Sequence, residues 1–79
     1  MVLDEMYVKV REEVMGMTDL LEEEYKRHLL SAEYYSVDMF NVKMNEIASQ
    51  LKQNGFVKEA YIIHIYMLLH EYRKGEERL

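Results

Sequence analysis

Apolar residues recur every three or four positions along almost the whole chain, the spacing expected of helices that each bury one face. From Leu3 they fall at 3, 6, 7, 10, 14, 17, 21, 25, 32 and 35, with His28 filling the gap, inside a sector of ~100°. The register persists through Gly16, and a mid-helix glycine costs only ~1 kcal/mol relative to alanine. The pattern predicts one helix over about residues 2–34, with Gly16 as a kink. The competing reading ends a helix at Gly16 and uses Thr18 as an N-cap, giving four helices instead of three.

Ser36 is a candidate N-cap for a second helix over about residues 37–53. Val37, Phe40, Met44, Ile47, Ala48 and Leu51 form its narrow stripe, and Asp38 sits in its first turn, where a negative charge suits the helix dipole. Asn54-Gly55 closes that helix, because both residues tolerate the left-handed conformation. A third helix follows over about residues 57–74 and stops at Gly75.

The last helix has more apolar surface than one neighbour can cover. Eight of the nine residues in 61–69, Tyr-Ile-Ile-His-Ile-Tyr-Met-Leu-Leu, are apolar or aromatic. Val57, Tyr61, Ile65, Leu68 and Tyr72 make one stripe, with Ile62 and Leu69 at its margin, and this stripe is assigned to the chain's own core. Ala60, Ile63 and Met67, with Tyr66 beside them, make a second face about a third of a turn away. That second face is the expected subunit interface. Helix lengths point the same way: the first helix would be roughly 50 Å long and the other two roughly 26 Å each. Either the first helix bends at Gly16 or another chain covers its overhang. The expected architecture is an all-α bundle of three helices in a single domain over residues 1–79, completed by a symmetric homodimer.

Residues 44–69 resemble one tetratricopeptide hairpin. Ile47, Ala48 and Leu51 fall at that repeat's first-helix apolar and small positions, and Gly55 stands five before Ala60 as the repeat's turn glycine precedes its alanine. Met67 replaces the second-helix small residue, the terminal proline is absent and there is no second repeat, so the segment is read as a generic tight αα-hairpin.

Composition supports the helical reading. The 79 residues include no proline, only three glycines and no cysteine, which excludes disulfides, thiolate metal sites and a cysteine nucleophile. A chain this short buries only ~60% of the surface its unfolded form exposes, and association is a common remedy. The apolar run is about half the ~20 residues of a membrane-spanning helix, and the N-terminus lacks the pattern of a secretory signal, so the expected location is the cytoplasm.

The net charge of −5 is uneven: residues 1–40 hold ten acids against four bases, and residues 41–79 hold five acids against six bases. The acidic half repels phosphate and the other half is too weakly basic for a nucleic-acid footprint, so direct nucleic-acid binding is not expected. A helix-turn-helix reading of Asn54-Gly55 fails on the apolar last helix, which carries only Lys58, Arg73 and Lys74 as bases.

Candidate chemistry is sparse. There is no Gly-rich phosphate loop, no Gly-x-Ser-x-Gly and no evident nucleophile–base pair, so no catalytic residue, cofactor or metal ligand is assigned. His64 and His70, six apart, point to different helix faces. Glu24 and His28 are expected as a surface pair, and His64 as an interior or interface histidine. Tyr7, Met17, Met44 and Tyr61 read as core filling. The functional expectation is a non-enzymatic regulator or inhibitor that binds a larger protein and is itself a homodimer, with Ala60, Ile63, Tyr66, Met67 and the overhanging part of the first helix as the subunit interface. Two alternatives accompany it: an acidic mimic of nucleic acid presenting Glu12, Glu13, Glu22, Glu23 and Glu24, and a structural subunit of a larger assembly.

Overall fold

A computed structural model describes residues 2–77 and contains helices and turns only. Its elements are α1 (Val2–Met15), a 3-10 turn (Gly16–Leu20), α2 (Glu23–Leu30), a second 3-10 turn (Ala32–Tyr34), α3 (Val37–Gln53) and α4 (Val57–Glu77). The all-α expectation holds. The continuous first helix does not.

α1 ends at Met15 because Gly16, Thr18 and Asp19 are weak helix formers in succession, and the chain tightens into 3-10 geometry there. Leu21 and Glu22 are both extended (ψ 147° and 158°), and these two residues make the corner. The competing four-helix reading is therefore closer, although Gly16 is not a left-handed cap and α2 starts at Glu23 instead of following Thr18. Glu23 and Glu24 occupy the first turn of α2, and Arg27 and His28 its last, both arrangements suiting the helix dipole. Each short helix still needs apolar residues three and four apart to line the core, so the spacing continues across the break. Tyr7, Val14, Met17 and Ala32 of the stripe are buried, whereas Met6, also of the stripe, lies at the surface and Leu29, outside it, is buried. The 50 Å overhang does not exist.

α3 follows its sequence pattern closely. Ser36 Oγ accepts from the Met39 N–H at 3.2 Å, and Phe40, Met44, Ile47, Ala48 and Leu51 are buried. At its end Gly55 adopts φ 88°, with the Gly55 N–H bonded to the Lys52 carbonyl (3.1 Å) and the Phe56 N–H to the Leu51 carbonyl (2.8 Å). These two bonds form a Schellman motif, which satisfies the last carbonyls of α3 and sets the angle at which α4 begins. α4 then runs past Gly75 to Glu77, longer than expected.

α3 packs along α4, α1 packs on α4, and α2 packs on α3. Asp4 and Arg73 (3.9 Å), with Arg73 also lying 4.5 Å above the Tyr7 ring, place the start of α1 against the end of α4. Arg11 and Glu33 (2.7 Å) tie α1 to the second 3-10 turn. The Cα envelope measures 38 × 23 × 16 Å. Its shortest dimension holds two helices packed ~8–10 Å apart, not three layers, so each helix keeps an outer face.

The two loop glycines should respond oppositely to alanine. Gly16 has open space around an added Cβ and no positive φ, so Gly16→Ala is expected to stabilise by ~0.5–1 kcal/mol. Gly55→Ala forces a side chain into the left-handed region and is expected to destabilise by ~1–2 kcal/mol. Urea unfolding of both variants checks the pair, and equal effects would contradict the cap assignment.

Candidate functional site

The candidate site is the surface of α4 that faces away from the rest of the chain. Because the α3–α4 turn is so tight, the face of α4 meeting α3 is chosen by the Schellman geometry. Ala60, Ile63 and Tyr66 are buried on that face, opposite Phe40, Met44, Ile47 and Leu51 of α3, and Met67 packs partly buried at its edge. Ala48 and Ala60, both buried and both small, suit the close approach of two helices beside a short turn. Tyr66 is the largest fully buried side chain in the molecule. Its ring lies 5.3 Å from Phe40 at 66° and 5.8 Å from Tyr7, so it joins α1, α3 and α4. His70 is also buried, stacked on Phe40 at 3.8 Å.

The expected assignment of the two faces is therefore inverted. Ala60, Ile63, Tyr66 and Met67, read from sequence as a subunit interface, belong to the intrachain core. The stripe read as core lies in solvent: Val57 is 46% exposed, Tyr61 66%, Ile65 45%, Leu68 67% and Tyr72 62%. Only its margin, Ile62 and Leu69, turns inward. These five outer residues fall within ~80° of arc over about 22 Å of helix. They offer on the order of 500 Å² of contiguous apolar surface, near the upper end for a monomeric protein.

His64, expected as an interior or interface histidine, is exposed at the edge of this stripe, so the interior alternative does not hold. It borders a recess of ≈ 350 Å³ between α3 and α4, lined by Asn41, Asn45, Met67, Leu68 and Glu71. Lys52, Val57, Ala60 and Tyr61 lie around its other side. His28 pairs with Tyr35 instead of Glu24: its Nδ1 is 3.0 Å from the Tyr35 hydroxyl. Among the described residues no three His, Cys, Asp or Glu side chains converge as metal ligands, and no helix is long and apolar enough to cross a membrane.

Glu12, Glu13, Glu22, Glu23 and Glu24 are all exposed, the first two on α1 and the others at the start of α2. The corner at Leu21 and Glu22 separates the two groups, which do not form one continuous helix face. A second recess, of ≈ 290 Å³, is lined by Tyr7, Glu33, His70, Arg73 and Lys74, but Glu33 and Arg73 are already engaged in the ion pairs that hold α1 in place.

No protein-family model, curated protein or solved structure matches this chain. Its own geometry is thus the whole basis for a functional reading.

The inversion yields two expected outcomes. Ile63→Ala should lower stability by ~2–4 kcal/mol, whereas Leu68→Ser should leave the fold of a single chain within ~0.5 kcal/mol; circular dichroism during urea titration separates them, and the reverse order would restore the sequence-based assignment. Burial raises the Tyr66 phenol well above its ordinary value of 10.0, with Tyr7 beside it adding to the shift. A neutral form favoured by folding gives stability that is complete below the unfolded value and is lost as pH rises beyond it. Unfolding free energy should therefore fall above pH ~10, by up to ~1.4 kcal/mol per pH unit from this group, and Tyr66→Phe should make that fall shallower.

Proposed function

We propose that the protein is a non-enzymatic interaction module of the cytoplasm, a homodimer that serves as a regulator or inhibitor by binding a larger protein. The exposed stripe of α4 carries this reading. A helix on the middle of a small fold, bearing two tyrosines, a leucine, an isoleucine and a valine in water, is in an environment that a soluble monomer disfavours.

The occupant of that stripe is a second copy of the chain. The stripe's ~500 Å² is the greater part of the ~800 Å² per partner that a standard interface buries, and the exposed His64 and half-buried Met67 flank it. It is apolar, aromatic and uncharged at its centre, as interface cores are. The two-layer fold leaves no segment among the described residues to cover it. Association would add the third layer that the core of so small a chain lacks.

The exposed carboxylates favour a second reading for the larger partner. Glu12, Glu13, Glu22, Glu23 and Glu24 remain outward when α4 is paired, and so are available to a basic surface. Binding to such a partner would weaken steeply with salt, whereas α4 pairing would be salt-insensitive.

Light scattering at tens of micromolar tests the main reading. The native chain should have the mass of a dimer, and Leu68→Glu that of a monomer with unchanged helical content. A native chain that is monomeric at ~100 µM would sink it.

A further inference from the structure

The outer stripe of α4 also contains information about how two copies meet. Resting on the homodimer reading above, we infer that the second copy seats antiparallel on α4, with the two-fold axis passing between His64 and Ile65, and that pairing is released when His64 is protonated.

The position of the axis follows from the extent of the stripe. It runs from Val57 to Tyr72, so its midpoint lies between residues 64 and 65. An antiparallel pairing about that point sets Val57 against Tyr72 of the second copy and Tyr61 against Leu68, so four of the five stripe side chains meet another of the stripe, while Ile65 meets His64 at the axis. A parallel pairing would instead set each residue beside itself, Tyr61 on Tyr61 and Tyr72 on Tyr72, crowding the largest rings at the same levels. The antiparallel arrangement offsets each ring by a smaller partner. It also separates the two C-terminal ends of α4, whose helix dipoles repel when aligned.

Symmetry then fixes the surroundings of His64. A residue within a turn of a two-fold axis lies beside its own copy, and both imidazoles sit on the α3 side of the seam, above the recess between α3 and α4. The charged groups near this histidine are Glu71 from α4 and Lys52 from the end of α3, and α3 otherwise presents the neutral amides Asn41 and Asn45. Glu71 and Lys52 oppose one another in sign, so neither dominates the site. What changes with pH is the pair of imidazoles. Neutral, they can share a hydrogen bond across the axis; both protonated, they place two like charges side by side at the edge of the seam. The dimer is therefore favoured at neutral and higher pH and weakens as pH falls.

The absence of cysteine makes single-cysteine probes clean. Under mild oxidation, His64→Cys should form a disulfide-linked dimer, whereas Val57→Cys should not link to itself, because its copy lies about 22 Å away along the helix. Mixed Val57→Cys and Tyr72→Cys chains should link to each other. In parallel, sedimentation of the native chain between pH 7.5 and 5.5 should show at least a tenfold rise in the dimer dissociation constant. His64→Gln should keep the dimer and abolish that rise.

Self-linking of Val57→Cys as readily as His64→Cys would overturn the antiparallel seam. A native dimer whose dissociation constant is unchanged over this pH range, or a rise that persists in His64→Gln, would overturn the switch while leaving the homodimer standing. A monomer at every pH and a failure of all cysteine pairs would remove the homodimer as well.

Discussion

The left-handed glycine at position 55 is the constraint from which the rest of this structure follows. With φ at 88° and the Leu51 and Lys52 carbonyls bonded across the turn, α4 has one direction and one rotational phase relative to α3. That phase places Ala60, Ile63 and Tyr66 against α3 and leaves Val57, Tyr61, Ile65, Leu68 and Tyr72 outside. Tyr66, brought inside in this way, becomes the post on which Tyr7 of α1 and Phe40 of α3 both rest. A three-residue connection thus decides which of two comparably apolar faces is core and which is surface.

The parts of the fold legible in the sequence are those set by local chemistry. Ser36 caps α3, its stripe of Phe40, Met44, Ile47, Ala48 and Leu51 is buried, and Asn54-Gly55 ends it, because each of these depends on residues within a turn or two of one another. The break in the first helix is not legible in apolar spacing alone, because two helices packed on one core can keep the three- and four-residue spacing of a single helix. Weak helix formers at Gly16, Thr18 and Asp19 were the better signal, and the mismatch between a 50 Å helix and a 26 Å hairpin already required a bend or a partner. The molecule takes the bend.

The site was misassigned for a related reason. Size and hydrophobicity ranked the larger stripe of α4 as core, but a helix beside a tight turn is oriented by the turn. Ala60 held the information: a small residue five positions after the turn glycine, buried as Ala48 of α3 is, suits the side on which two helices approach closely. The conclusion that α4 carries two apolar faces survives the inversion. The support from an overhanging first helix does not, and its place is taken by the exposed stripe together with the thinness of the fold.

The most direct test of the account is nuclear magnetic resonance of a mixed sample, half the chains labelled with carbon-13 and half unlabelled, with only contacts between differently labelled chains recorded. The account predicts intermolecular contacts from Tyr61, Ile65 and Leu68, and none from Ile63. Intermolecular contacts from Ile63, or none from any residue of α4, would contradict it.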